Sequence, residues 1–284
     1  MTTVADLLLH RDRLKAVSDS ATADIELLLC YCIQKPRSYL RAWPEAVLSP
    51  AIEQQFLQLL SRRLQGEPIA YLIGERGFWT LDLQVSPATL IPRPETELLV
   101  EIVLSRLQSA VKARVLDLGT GTGAIALALA SERADWQLLA SDVSEEAVLL
   151  AEANRAALGL DNVSIQQSDW FTAIAPGRFD AIVSNPPYID PQDPHLHRGD
   201  IRFEPRSALV ADNQGMADIE KIVAKAPNYL ADAGWLLFEH GYDQGDKARA
   251  LLAAAGFQQV FTEQDLAGQD RVSGGRWTQG NGVK

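Results

Sequence analysis

Val115-Leu-Asp-Leu-Gly119-Thr120-Gly121-Thr122-Gly123-Ala124 reads as a strand, a tight turn and the start of a helix. Val115 to Leu118 is a short apolar run. Glycines at every second position allow the turn to tighten and let the backbone approach a ligand closely. Ala124 to Ala130 then supplies an Ala/Leu helix, whose first N–H groups face the turn. The next apolar run, Gln137 to Asp142, ends in an acid 19 residues after Gly123. A carboxylate at that place can accept hydrogen bonds from both hydroxyls of a ribose. Gly119, Gly121 and Ala124 also satisfy the G-x-G-x-x-G/A dinucleotide pattern, so the loop alone does not choose a cofactor.

Strands and helices alternate outward from this stretch. Val163 to Gln166, Ala181 to Ser184, Trp235 to Glu239, Phe257 to Phe261 and Arg271 to Trp277 complete seven expected strands. Ser144 caps a helix that Gly159 stops, and Asp246 to Ala255 forms another. Gly215 to Tyr229 is helical until Pro227 ends or kinks it. Such alternation builds an α/β, Rossmann-like, mostly parallel sheet covered on both faces. Phe78 to Val85 is expected as a strand or hairpin arm. Pro94 suits the first turn of a helix carrying Leu98, Leu99, Ile102 and Val103.

The first 73 residues read as helices without strands. Ile25, Leu28, Leu29 and Cys32 share one helical face, with Asp24 as its start; Ile52, Phe56, Leu59 and Leu60 form a second stripe. The expected division is therefore a small helical bundle (1–73), a β-hairpin linker (74–94) and a catalytic domain (95–284). Residues after Thr278 read as a loose tail.

The chain has 284 residues, 47% of them apolar and 22% charged, an ordinary globular composition with room for about two domains. Its 26 basic and 37 acidic residues give a formal net charge of −11. Residues 1–75 hold 8 basic and 9 acidic groups, so nearly all the excess acidity lies beyond them. That disfavours a general nucleic-acid or anionic-membrane binder. Cys30 and Cys32 cannot make a disulfide scaffold or a complete zinc site. No apolar run reaches the roughly 18 residues of a membrane span, and the start lacks signal-peptide character. A reduced, cytoplasmic monomer is expected.

The sharpest signal is Phe179-Asp-Ala-Ile-Val-Ser-Asn185-Pro186-Pro187-Tyr188. A strand ends in an amide, two prolines and an aromatic ring. Each proline fixes its own φ and restricts its predecessor, so Asn185 and Pro186 have little conformational choice. In an open α/β sheet, ligands bind at the carboxyl ends of the strands. A planar NH2 group presents two coplanar donors, which the Asn185 side-chain oxygen and the Pro186 carbonyl can accept one each. Tyr188 can lie against the flat face of the same group.

With Asp117 in its strand, the glycine loop resembles the first motif of class I S-adenosylmethionine-dependent methyltransferases. The Asn-Pro-Pro-Tyr turn resembles that of enzymes methylating planar amino groups, either adenine in nucleic acid or glutamine in protein. Gly66-Glu-Pro-Ile-Ala-Tyr, Phe78-Trp79, Ser86-Pro-Ala-Thr-Leu-Ile-Pro-Arg-Pro-Glu-Thr-Glu97, Gln167-Ser-Asp-Trp170-Phe, Arg202-Phe-Glu-Pro and Glu239-His-Gly241 accompany it in order. Together they resemble the release factor glutamine methyltransferase family, PrmC/HemK, from about Asp24 to Trp277. The resemblance implies methylation of the side-chain nitrogen (N5) of the Gly-Gly-Gln glutamine of class I peptide-chain release factors. It implies S-adenosyl-L-methionine as donor and S-adenosylhomocysteine as product. By position, Gly119, Thr120, Gly121, Thr122, Gly123, Asp142, Trp170 and Asn185 would contact the cofactor. Asn185, Pro186, Pro187 and Tyr188 would hold the glutamine, and the N-terminal helices would help dock the release factor.

Other features point less far. His195 and His197 lack a third ligand, so no metal is expected. His240 sits at a strand end without an evident partner for acid–base work. Arg198, Arg202 and Arg206 suit a solvated loop or a protein contact, and Phe78 and Trp79 suit the core in preference to flanking the substrate. An adenine methyltransferase would need a basic nucleic-acid surface, and direct nucleic-acid binding is not expected. A nicotinamide-dependent oxidoreductase would leave the Asn-Pro-Pro-Tyr turn unexplained.

Overall fold

The computed structural model describes residues 1–197 and 199–278; Arg198, the side chain of His197 and the expected tail beyond Thr278 lie outside it. The chain divides into two compact units, Met1–Glu75 with Pro194–Phe203, and Arg76–Asp193 with the described chain from Glu204 onward. The short segment Pro194–Phe203 therefore groups with the N-terminal residues despite its distance in sequence.

The first unit is helical: α1 (Val4–Leu8), α2 (Arg11–Leu14), α3 (Ala21–Ile33), α4 (Arg37–Ala42), α5 (Pro50–Leu64) and α6 (Ile69–Ile73). The α3 stripe of Ile25, Leu28, Leu29 and Cys32 is buried against Phe56, Leu59 and Leu60 of α5. Ser49 caps α5 by accepting from the Ile52 N–H, and Pro50 takes the first helical position, where no N–H is needed. Asp24 is not the start of α3, which begins at Ala21. Its carboxylate is buried and accepts from Arg63 Nε at 2.8 Å and Ser20 Oγ at 2.9 Å. The partner lies 39 residues away, so local pattern reads this acid as a helix-start signal. Arg63 also donates to the Gly66 and Glu67 carbonyls and to Asp200, tying Pro194–Phe203 to the bundle.

The second unit opens with β1 (Glu75–Phe78) and β2 (Leu81–Gln84), a two-stranded hairpin. The expected strand over Phe78 to Val85 breaks at Trp79, which turns with φ 57°. Its backbone N–H donates to Glu97 and its indole N–H to Glu132, at 2.8 Å each, which holds the turn. Pro94 starts a 3-10 turn, Pro94–Thr96, that runs directly into α7 (Glu97–Arg106).

Then follow β3 (Arg114–Leu118), α8 (Ala124–Glu132), β4 (Gln137–Asp142), α9 (Glu145–Leu158), β5 (Val163–Gln167) and β6 (Phe179–Ser184). The chain ends its fold with α10 (Arg206–Leu209), α11 (Ala217–Lys225), β7 (Leu230–Glu239), α12 (Gly245–Ala254), β8 (Gln258–Gln264) and β9 (Asp270–Arg276). Pro227 falls in a 3-10 turn just past α11, where it can no longer break helical hydrogen bonds. The seven strands form one sheet in the order β5-β4-β3-β6-β7-β9-β8. β5, β4, β3, β6 and β7 run parallel, and β9 pairs antiparallel with both β7 and β8.

Successive strand residues point to opposite faces. Val115, Val183 and Leu237 pack on one side with Leu99 and Val103 of α7 and Leu127 of α8. Leu116, Ile182, Leu236 and Phe238 pack on the other with Ile219 and Ile222 of α11 and Leu252 of α12. Both faces are covered, as the near-continuous apolar strands require. Among the described residues, no helix is long and apolar enough to cross a membrane.

Candidate functional site

Strand register gathers the site. Leu118 of β3 stands opposite Ser141 of β4 and Ser184 of β6. Asp142 pairs with Gln167 of β5, and Ser184 with Phe238 of β7. The residues that follow these pairs therefore emerge along one edge: Gly119, Asp142, Ser168, Asn185 and Glu239. The sheet order reverses between β3 and β6, the place where open α/β sheets form their crevice. The Ser184 hydroxyl donates to the Leu118 carbonyl at 2.7 Å and fastens these two strand ends.

A cavity of about 280 Å³ opens there. Gly119, Thr120, Gly121, Thr122, Asp142, Trp170, Asn185 and Pro187 all line it. Gly123, Pro186 and Tyr188 do not. Gly123 begins α8 with φ +86°, and a Cβ there would lie 2.9 Å from Leu127 Cδ1 and 3.4 Å from Ala151. Its smallness serves the packing of α8 against α9. Phe78, expected in the core, is buried and also forms part of the cavity wall.

The loop after β3 is held from beneath. Gly119 N–H and Thr120 N–H both donate to the Ser141 carbonyl. Gly119 has φ +71°, and the Trp170 ring lies 3.5 Å from where its Cβ would be. A side chain at 119 would both strain the turn and strike the indole. Asp142 accepts from Gly121 N–H at 2.9 Å through one oxygen and from Ser144 N–H at 3.0 Å through the other. A carboxylate offers roughly four acceptor sites, so each oxygen keeps capacity for a further donor.

Asp117 lies under the loop with 1% exposure. One oxygen accepts from Thr120 Oγ at 2.6 Å and Ala126 N–H at 3.2 Å. The other has no hydrogen-bond partner. Burial pushes this carboxyl up to about 7, against the two hydrogen bonds and with help from the nearby Asp142 charge.

The Asn-Pro-Pro-Tyr turn is anchored by residues that sequence reasoning passed over. Asn185 Nδ2 donates to Thr96 Oγ at 3.1 Å, and Thr96 Oγ donates to Glu239 Oε2 at 2.6 Å. Tyr188 OH donates to Glu239 Oε1 at 3.1 Å. Asn185 Oδ1 is thereby turned away from Thr96. Glu239 is 1% exposed, and burial raises its carboxyl pKa while the two hydroxyls lower it. Burial, then the Glu239 charge, holds the Tyr188 hydroxyl firmly protonated. Tyr188, expected to lie against a substrate amide, is tied by its hydroxyl to this buried carboxylate and stands outside the cavity lining. The signals that could have found Thr96 and Glu239 were the Pro-Glu-Thr-Glu run and a glutamate ending an apolar strand. Nothing in either said that they meet.

His240 is fully buried. Its Nδ1 lies 2.8 Å from the Gly241 carbonyl and its Nε2 2.8 Å from Ser273 Oγ. A carbonyl can only accept, so Nδ1 carries the hydrogen and Nε2 accepts from Ser273. Burial lowers its pKa. Both ring nitrogens are engaged, leaving none for proton transfer. Cys30 and Cys32 are free thiols in α3, partly and fully buried.

The comparisons agree with this geometry. The family described as Methyltransferase small domain matches residues 95–199, and the one described as PrmC N-terminal domain matches residues 7–74. A release factor glutamine methyltransferase of Pseudomonas aeruginosa is 56% identical over 277 residues, covering 98% of this chain and 99% of that protein. Its namesake in Escherichia coli (strain K12) is 52% identical, covering 92% of this chain and 94% of that protein. Among solved structures, a T. thermophilus 16S rRNA methyltransferase in complex with AdoMet and guanosine has a TM-score of 0.53 at 22% identity, covering 71% of this chain and 49% of that one. That likeness concerns the fold. The full-length identity to the curated relatives and the matched N-terminal domain go further: the chain belongs to the release factor glutamine methyltransferase family.

Proposed function

We propose that this protein methylates the side-chain nitrogen (N5) of the glutamine in the Gly-Gly-Gln motif of class I release factors, drawing on S-adenosyl-L-methionine. One observation carries the reading beyond the family name. Asn185 Nδ2 spends one of its two hydrogens on Thr96, which turns the side-chain oxygen to the other side and leaves it able to accept from a ligand. Next to it in sequence, the Pro186 carbonyl accepts from no described residue, although Pro186 itself is buried and is not among the residues that line the cavity. Two acceptors of fixed direction suit a planar group with two N–H donors.

The cavity residues fit the cofactor. Asp142 has acceptor capacity for ribose hydroxyls, the loop of Gly119 to Thr122 offers backbone at close range, and Trp170 offers a flat apolar surface. S-adenosylmethionine supplies a methyl group already activated on a sulfonium and leaves as S-adenosylhomocysteine. The chain's own part is alignment and charge. An amide nitrogen is a poor nucleophile because its lone pair is shared with the carbonyl. Hydrogen bonds from its two N–H groups to Asn185 Oδ1 and Pro186 O would leave more electron density on nitrogen and fix its direction of attack. No side chain at the turn is placed as a general base: His240 is spoken for, and Asp117 lies beneath the loop.

Within this reading, the N-terminal helices of residues 1–73 dock the release factor, and the protein works in the cytoplasm as a monomer without direct nucleic-acid contact. The test is labelled S-adenosylmethionine offered with purified release factor, with a form carrying Gly-Gly-Ala, and with DNA. Label on the release factor alone supports the proposal. Label on DNA, or label that persists on the Gly-Gly-Ala form, refutes it.

A further inference from the structure

We propose that Thr96 and Glu239 are positioning residues that set the polarity of the Asn185 amide, and so decide that the site accepts an NH2 group. The proposal rests on the reading of Asn185 as a substrate-amide acceptor. Neither residue was singled out by the resemblance as part of the substrate turn.

An amide side chain can turn by 180° and exchange its oxygen for its nitrogen with little change of shape. Something must choose between the two settings. The Thr96 and Tyr188 hydroxyls converge on the two oxygens of Glu239, one on each, so both side-chain oxygens serve as acceptors. Thr96 has one hydroxyl hydrogen, and Glu239 takes it. Only lone pairs then remain on Thr96 Oγ to face Asn185. A lone pair welcomes Asn185 Nδ2–H and repels Oδ1. Hence the nitrogen turns toward Thr96 at 3.1 Å and the oxygen turns away. Three residues from three parts of the chain thus form a directed series, with the buried Glu239 carboxyl at one end and the Asn185 side-chain oxygen at the other.

Burial makes this selection strong. Thr96 is 4% and Glu239 1% exposed, so water does not readily supply the missing partner if the series is broken. The polarity also bears on specificity. An outward oxygen accepts from a carboxamide NH2 but repels a carboxylate, so a glutamate in place of the substrate glutamine is rejected by the same device.

Steady-state kinetics on the full-length protein with release factor tests the idea. Thr96→Ser keeps the hydroxyl and should hold kcat within about threefold of wild type. Thr96→Val keeps the shape but not the hydroxyl and should lower kcat about 10- to 100-fold. KM for S-adenosylmethionine should stay within about threefold in both. The pair Glu239→Gln, which retains an acceptor oxygen, and Glu239→Met, which does not, repeats the test from the other end. Melting curves establish which variants are folded. Independently of substrate, nuclear Overhauser contacts from the Asn185 NH2 to the residue 96 Hβ protons, which Thr, Ser and Val all carry, should be strong in wild type and Thr96→Ser and weakened in Thr96→Val.

Thr96→Val turning over at the wild-type rate, or an amide contact unchanged by that substitution, overturns the proposal. Wild-type protein that leaves release factor unmethylated while showing the amide contact refutes the substrate reading instead, and the orientation of Asn185 by Thr96 stands.

Discussion

Asp117 makes the catalytic unit lose stability as pH rises, and Asp117→Asn should remove that dependence. An aspartate carboxyl has an ordinary value near 3.8, and burial lifts Asp117 to about 7. At pH below 3.8 the carboxyl is protonated in both folded and unfolded chains, and burial costs little. Between the two values the unfolded chain releases the proton while the folded chain retains it, so stability falls as pH rises. Above 7 both forms are ionised and the full difference has accrued. A rise of about three units corresponds to roughly 4 kcal/mol. Integrated only from pH 5 to pH 8, the loss is roughly 2 to 3 kcal/mol.

In the asparagine variant the side-chain oxygen can still accept from Thr120 and Ala126, and no ionisation remains. Its NH2 replaces the partnerless oxygen, which costs about 1 to 3 kcal/mol at every pH. The variant's stability relative to the wild type should therefore rise by roughly 2 to 3 kcal/mol between pH 5 and pH 8. Urea unfolding of both proteins without ligand, at fixed ionic strength across that range, reads the difference directly, because every other titrating group is common to both. A stability difference that stays constant within about 0.5 kcal/mol would mean that Asp117 does not change its charge there, and the reasoning fails.

Four further outcomes follow from the geometry. Asn185→Ala should abolish most methyl transfer to release factor while leaving the melting temperature near wild type, because the residue is partly exposed at a strand end; near-normal turnover would sink the role given to its oxygen. Asp142→Ala should weaken S-adenosylmethionine binding in titration calorimetry more than it lowers kcat, since it removes the acceptor that also braces Gly121. Gly123→Ala puts a Cβ 2.9 Å from Leu127 at a positive φ and should cost about 1 to 3 kcal/mol in denaturant titration. Arg63→Met strands the Asp24 carboxylate in the helical core, with an expected loss of about 3 to 5 kcal/mol that adding Asp24→Asn partly restores.

The fold was legible because its signals are local. Ser144 and Gly159 bound α9 where a cap and a left-handed stop belong, and β4 runs from Gln137 to Asp142 as read. A parallel sheet buried on both faces announces itself in short apolar runs between helices, and the glycine loop marks where it turns. The misreadings share one cause. Asp24 has the residue type and place of a helix start, but an arginine 39 positions on makes it a buried ion-pair partner. Trp79 carries a strand-forming side chain, but contacts to Glu97 and Glu132 pay for a left-handed backbone there. The Tyr188 hydroxyl is held by Glu239, 51 positions away, a pairing that leaves the role expected of its ring untouched and was equally invisible in the local sequence. Each is a long-range hydrogen bond, and such pairings have no periodicity to read.

The same distinction governs substrate choice. Glutamine and adenine both end in a planar NH2, so two acceptors at the end of β6 cannot by themselves tell one from the other. On the proposed reading the turn decides something more elementary: with Thr96 holding Asn185 by its nitrogen, the side-chain oxygen would receive donors rather than acceptors. The selection among donors must then come from outside the turn. An adenine embedded in nucleic acid arrives with phosphates, and a chain whose residues 76–284 carry 18 basic against 28 acidic groups opposes their approach. A glutamine on a protein loop brings no such charge and needs only a partner surface. On the proposed reading, polarity at Asn185 and the net acidity of residues 76–284 disfavour different competitors, carboxylates in one case and polyanions in the other. Together they leave a neutral amide on a polypeptide as the group that both conditions admit.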